Sequence, residues 1–219
     1  MIYNVKITNG NRQEVADYIR IKKSAGQFRV VDVGGVFGGW SMPFVDAIID
    51  FNTPVVDVNF SHVKHFKCDI TNPRDWEEVL SYVGVSGKFD FCICTHTLED
   101  IMNPVFVSEQ IAKIALSGYI AFPSKYRELA KFQGDYRGYI HHRWIFTVKN
   151  NVVIGFPKIG FMENCSAFDS IADLSDNKSD LSFFWKDAID IVYLNNNFLG
   201  PDVGSVIEYY ADLCRYDYL

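Results

Sequence analysis

Short apolar runs, each closed by glycine, aspartate or another polar residue, recur through the first two thirds of the chain, with amphipathic stretches between most of them. Residues 28–33, 54–58, 63–68, 89–94 and 118–122 read as strands. Four to eight β-branched, aromatic or small apolar residues bounded by turn formers fit a strand better than a helix. Residues 13–23 place Val15, Tyr18, Ile19 and Ile21 on a rough apolar face and predict a helix. A second is expected over 41–50, with Ser41 as N-cap and Pro43 in its first turn. A third follows Asn72, carrying Pro73 and Asp75 at its start and Trp76, Val79, Leu80 and Val83 along one face. Pro104 opens a fourth, to about residue 115, and a short one is expected over 125–132. Residues 143–148 and 152–157 are β-rich and flank Asn150-Asn151, a pair suited to the positive φ of a tight hairpin. Residues 173–180 are polar and read as loop, and a helix is expected over 203–213. The order β-α-β-β-α-β-α-β, then a hairpin, predicts an α/β fold. It is a three-layer, Rossmann-like domain whose mostly parallel sheet ends in an antiparallel hairpin.

Composition narrows the class. At 219 residues the chain suits one domain, with a core at about 28–158 and the N-terminal helix and C-terminal extension packed on it. Hydrophobic residues make up 48% and aromatics 16%, ample for a core and against disorder. The net charge of −6, with no basic stretch, argues against a nucleic-acid partner. The five cysteines lack framework spacing, which suits reduced thiols. Cys92 and Cys94 lie on one strand, so both side chains face the same way, as small core residues do. No leader and no apolar run of membrane-span length is visible, so a cytoplasmic protein off the membrane is expected. Self-association is left open.

The candidate chemistry sits where the strands end. In open α/β sheets ligands bind beyond the carboxyl ends of the strands. Asp32 and Gly34-Gly35-Val36-Phe37-Gly38 form the turn after the first strand, Asp57 and Val58 end the second, Asp69 and Ile70 follow the third, and Thr95 ends the fourth. A glycine turn lets backbone approach a ligand closely. The dinucleotide fingerprint G-x-G-x-x-G fails here because Val36 holds its middle glycine position. A carboxylate at the second tip can accept both ribose hydroxyls. One at the third can accept from an adenine amino group.

In this order the residues resemble the class I S-adenosylmethionine-dependent methyltransferases, over about residues 28–158. Asp32, Gly34 and Gly38 match that family's first motif, Asp57 its second and Asp69 its third. The run from Phe89 through Thr95, His96, Thr97, Leu98, Glu99 and Asp100 to Ile101 resembles the fourth-strand motif, with Asp100 where many members carry His. The segments at 96–100, 118–124 and 138–144 also look like a narrower, poorly characterised methyltransferase-like group. The resemblance implies S-adenosyl-L-methionine as cofactor. Asp32, Gly34, Gly35, Val36, Phe37, Gly38, Asp57, Val58, Asp69, Ile70 and Thr95 would lie around it.

Methyl transfer rests mainly on orientation, and a base is needed only when the acceptor must lose a proton. His96, His141 and His142 are the candidate catalytic residues. His96 leaves the fourth strand's tip, and adjacent residues of the His pair point opposite ways on an extended chain, so one of the two can face the acceptor. Glu99 can hold a cationic group of the substrate and Arg143 an anionic one. No metal ligand set is assigned, although His96, one of the pair and Glu99 could together ligate an ion. The polar and aromatic stretch from Tyr126 to Arg137 is a candidate lid. The expected activity is methyl transfer to a small-molecule oxygen or nitrogen. A non-catalytic module that binds the same cofactor and an NAD-dependent oxidoreductase are the alternatives.

Overall fold

The computed structural model describes residues 1–52, 58–194 and 203–215. The strands are β1 (Ile2–Thr8), β2 (Val30–Val33), β3 (Ala47–Asp50), β4 (Lys64–Lys67), β5 (Phe91–Thr95), β6 (Ser117–Pro123), β7 (Lys131–Gln133), β8 (Tyr136–Arg137), β9 (Trp144–Lys149), β10 (Val152–Pro157), β11 (Asp180–Lys186) and β12 (Val192–Tyr193). The α-helices are α1 (Arg12–Ala25), α2 (Trp76–Ser86), α3 (Pro104–Ile114), α4 (Lys125–Leu129) and α5 (Val203–Arg215).

A seven-stranded sheet in the order β1-β11-β6-β5-β2-β3-β4 forms the middle layer. Strands β2 to β6 are parallel; β11 and β1 add antiparallel at one edge. The chain steps outward from β2 to β4, then crosses back to β5 on the other side of β2. Strand order therefore reverses between β2 and β5, as in Rossmann-like sheets. All four residues of β2 are buried, as expected of a central parallel strand covered on both faces. Alternation along the strands feeds two cores. Val31, Val33, Ile49, Cys92, Cys94, Ile120 and Phe122 pack with Trp76 and Val79 of α2 and Val107 and Ile111 of α3. Val30, Ile48, Phe91, Ile93 and Tyr119 face the other way, against Val15 and Ile19 of α1. Cys92 and Cys94 thus share one face, and burial pushes both thiols above their ordinary pKa. No helix among the described residues is long and apolar enough to cross a membrane.

The hairpin forms where expected, with Asn150 and Asn151 at φ 52° and 61°. It does not close the parallel sheet. It belongs to a separate sheet, β12-β10-β9, and the main sheet ends instead in β11 and β1. The physical reason is face-on packing: Phe146 of β9 stacks on Phe122 of β6 with ring centroids 3.8 Å apart, which sets β9 over the sheet rather than at its edge. The hairpin's other side packs Ile145, Ile154 and Phe156 against Val206 and Tyr210 of α5.

Residues 41–50 do not form the expected helix. A run of turns leads into β3, and the Ser41 hydroxyl donates to the Asp32 carboxylate instead of capping a helix. Val45, Ala47, Ile48 and Ile49 are buried between β2 and β4. The second strand is therefore 47–50, and the carboxylate that ends it is Asp50. Residues 54–57, with Asp57, lie outside the described residues, and Val58 begins a 3₁₀ turn. Helix α2 also starts later than expected, after Asp75. Asn72 accepts from the Arg74 N–H, while Asp75 accepts from the Asp69 N–H and holds the turn ahead of the helix.

Candidate active site

A cleft of about 290 Å³ opens at the carboxyl ends of β2 to β5, at the point where strand order reverses. Gly34 lines it from β2, Asp50 and Phe51 from β3, Cys68, Asp69, Ile70 and Thr71 from β4, and His96, Thr97, Asp100 and Ile101 from β5. Its size is near the lower end of the usual range for small-molecule sites.

The glycine turn is set by close approach on two sides. Gly34 has φ +76°, and a Cβ there would lie 2.6 Å from Thr97 Cγ2. Its N–H donates to the Ile49 carbonyl at 2.8 Å, tying the loop to β3. Beneath the next residue lies Asp32, 3% exposed, which takes the Ser41 hydroxyl on one oxygen while the other has no partner among the described residues. Burial, only partly offset by Ser41, pushes the Asp32 carboxyl up to about 7. Asp32 thus stands under the loop and does not line the cleft. Val36 is exposed at the loop's tip, and Phe37 packs edge-on against Phe60, with centroids 6.1 Å apart. Gly35, Gly38 and Thr95 flank the cleft without lining it.

Three carboxylates do line it: Asp100, after β5, and Asp50 and Asp69, after β3 and β4. Asp50 Oδ1 accepts from the Asn52 N–H at 2.8 Å. Asp69 Oδ1 accepts from both the N–H and the hydroxyl of Thr71, at 2.9 and 2.7 Å. Asp50 and Asp69 are thus held by short turns at neighbouring strand tips. Sequence reasoning missed Asp50; its signal was the apolar run Ala47-Ile48-Ile49 directly before an acid.

His96 sits on the opposite wall with φ 52°, a conformation that few non-glycine residues adopt. Its Nδ1 lies 3.5 Å from Glu99 Oε1 and its Nε2 3.7 Å from Asp180 Oδ1. Burial pulls the imidazole's pKa down, but the Glu99 and Asp180 carboxylates outweigh it and hold it above the ordinary value. Glu99 is 1% exposed, and its burial, opposed by His96, raises its own pKa. Glu99 faces His96 and not open solvent.

His141 and His142 reach the same neighbourhood from the other direction. The Glu99 carbonyl accepts from the N–H groups of Arg143 and Trp144 at 2.7 and 3.1 Å, and Trp144 Nε1 donates to the Ile101 carbonyl at 3.0 Å. These bonds fasten the entry to β9 alongside the segment that follows β5. Asp100 thereby meets both imidazoles. Its Oδ1 is 3.4 Å from His142 Nε2 and 3.8 Å from His141 Nε2. On its far side, His142 Nδ1 lies 2.7 Å from Glu128 Oε1 of α4. His141 and Arg143 are exposed, and with Ile140, His142 and Lys158 they line a second, more open hollow. His96 and the His pair therefore approach Asp100 and Glu99 from separate walls. The stretch 126–137 is not a free lid: Arg137 is buried and donates to the carbonyls of Leu129, Met162 and Cys165.

Neither a protein-family model nor a curated protein sequence matches the chain. Solved structures do superpose loosely on it. One is the plantazolicin methyltransferase BpumL in complex with a monoazolic desmethylPZN analogue and SAH, at 15% identity and TM-score 0.38, covering 52% of this chain and 46% of that one. Another is the N-terminal domain of EvdMO1 in the presence of SAH and D-fucose, at 11% identity and TM-score 0.40, covering 82% and 85%. A third is Thermoplasma acidophilum protein 1320, at 12% identity and TM-score 0.39, covering 80% and 87%. The matched part thus spans less than half the length of the plantazolicin enzyme. The fold assignment rests on this chain's own strand order: an α/β, Rossmann-like sheet with parallel central strands and an antiparallel edge.

Proposed function

We propose that the chain is a single-domain, class I methyltransferase-like protein that moves a methyl group from S-adenosyl-L-methionine to an oxygen or nitrogen of a small molecule. The observation that carries this reading is the meeting of Gly34, Asp50, Asp69 and His96 in one cleft at the strand-order reversal. The donor chemistry fits. A vicinal diol and an exocyclic amine are both hydrogen-bond donors, and Asp50 and Asp69 offer acceptors at adjacent tips. When bound, the cofactor supplies an electrophilic methyl on a sulfonium centre.

In this reading Asp50, in the place the sequence gives to Asp57, takes the ribose hydroxyls, and Asp69 faces the adenine. The backbone from Gly34 to Gly38 borders the amino-acid end. His96 faces the transferred methyl's side of the cleft and takes the proton from a hydroxyl acceptor; Glu99 orients the ring and raises its basicity. The acidic net charge supports a small-molecule acceptor over nucleic acid.

Calorimetry with S-adenosylmethionine, S-adenosylhomocysteine and NAD tests the cofactor. Binding of the first two and not the third is expected, and binding of NAD alone overturns the reading. Release of S-adenosylhomocysteine with a panel of hydroxyl and amine acceptors separates an enzyme from a non-catalytic module.

A further inference from the structure

We infer that Asp100, His141 and His142 form a binding site for a divalent transition-metal cation of the zinc type, at the rim of the cleft. One carboxylate oxygen and one nitrogen from each imidazole all lie within 4.8 Å of one another. The 3.4 Å between Asp100 Oδ1 and His142 Nε2 is close to the edge of a tetrahedral zinc site, roughly 3.3–3.4 Å for bonds of about 2.0–2.1 Å. His141 is 3.8 Å from the same oxygen and exposed, so a small rotation brings it into range.

Proton bookkeeping points the same way. His142 Nδ1 is 2.7 Å from Glu128 Oε1, and a carboxylate there accepts the ring N–H. In the neutral imidazole this leaves the Nε2 lone pair facing Asp100 Oδ1, a buried oxygen with no hydrogen-bond partner among the described residues. Two acceptors that face each other are reconciled by a metal ion between them or by a second ring proton, and the cobalt and zinc titrations below tell the two apart. A carboxylate behind a ligating histidine is also the usual support for a bound metal, since it fixes the tautomer and the ring's direction. Glu128 is itself fully buried, with the Lys158 ammonium 3.6 Å from its second oxygen. A Cβ at Gly138 would lie 2.8 Å from Glu128 Cα, so the chain passes tightly over this support.

Two imidazoles and one carboxylate leave coordination positions open. Both imidazoles line the open hollow with Arg143 and Lys158, and Asp100 lines the cleft, so water or an anionic oxygen of a small molecule has access to complete the shell. This site does not depend on the cleft taking a methyl donor, and its test uses none.

Protein freed of metal by a chelator is titrated with Co²⁺, followed by its visible absorption, and with Zn²⁺ in a calorimeter. One ion per chain is expected, with Zn²⁺ displacing Co²⁺. His141→Ala, at an exposed position that leaves the fold intact, and Asp100→Asn should each weaken binding at least tenfold. Glu128→Gln should weaken it by about 10–100-fold through the lost support. His62→Ala, at an exposed site elsewhere, should change nothing. Absence of a cobalt spectrum and of zinc heat, as for a His142–Asp100 pair bridged by a proton alone, overturns the inference. So does binding that survives both His141→Ala and Asp100→Asn.

Discussion

Gly35 rests on Asp32. A Cβ added to Gly35 would lie 2.9 Å from Asp32 Cβ and closer still to its carboxyl group. The side chain below has no free space to retreat into, since it is fully buried and held by Ser41. Gly35→Ala should therefore lift the loop rather than displace Asp32. Overpacking of this kind costs about 1–3 kcal/mol. Chemical denaturation should show that loss. Because the lifted loop borders the cleft, S-adenosylmethionine affinity should fall as well; unchanged stability and affinity would refute the contact.

The same carboxyl group makes stability depend on pH. Burial raises the Asp32 pKa to about 7 in the folded protein, against an ordinary value of 3.8. A raised folded pKa means that the folded state holds the proton more tightly. The contribution is intact below about pH 4 and is lost as pH climbs through 7. Three pKa units correspond to an upper limit on the order of 4 kcal/mol. Denaturation midpoints of the wild type should fall relative to Asp32→Asn between pH 5 and 8, because the amide carries no such charge. Parallel pH profiles of the two proteins would contradict the assignment.

Two aspartates compete for one role. Asp50 ends β3 and lines the cleft, whereas Asp57 lies outside the described residues. If Asp50 accepts the ribose hydroxyls, Asp50→Ala should weaken S-adenosylmethionine by about 1.5–3 kcal/mol, the range for hydrogen bonds to a charged group. Asp57→Ala should then leave the affinity within about 0.5 kcal/mol, the size of a change at a residue that does not touch the ligand. The opposite ranking in a calorimeter would return the role to Asp57.

That ambiguity shows where sequence stops. Val30 to Val33 is legible because a strand buried on both faces is apolar on both. Asn150-Asn151 is legible because the turn's dihedrals are a local demand. Ala47-Ile48-Ile49-Asp50 and Pro54-Val55-Val56-Asp57 are equally good strand endings by pattern. What places the first in the sheet is register with its neighbours: Ile48 pairs with Asp32 on one side and His65 on the other. Strand β11 was hidden for the same reason. Asp180 follows a polar loop and reveals itself as a strand start only by pairing with Pro123 on one side and Thr8 on the other. In the site, His96 and Glu99 are visible as a motif. The approach of Asp100 to His142 is not, because it depends on the bonds from Arg143 and Trp144 to the Glu99 carbonyl, across a long stretch of chain.

Arg137 ties the segment after β6 to the C-terminal part. Its guanidinium donates at 2.8 Å to the carbonyls of Leu129, Met162 and Cys165, and at 2.6 Å to Asp169, from a position that is 2% exposed. Three of those acceptors are backbone oxygens, at the end of α4 and in the 3₁₀ turns after β10; those of Met162 and Cys165 also take long 3.3 Å bonds from the Cys165 and Phe168 N–H groups. Arg137→Ala removes four guanidinium bonds at once in a place water reaches poorly, which should cost about 3–5 kcal/mol, as for other buried charge networks. Arg137→Lys should recover little, because one ammonium cannot match a planar fork that reaches four acceptors. Asp169→Asn removes only the exposed partner and should cost under about 1 kcal/mol. Denaturation of the three variants checks the ranking. Hydrogen exchange should place the loss in residues 129–169, with β2 and β5 still protected. Equal losses in Arg137→Ala and Asp169→Asn would mean that the surface ion pair, and not the buried fork, holds this part of the molecule together.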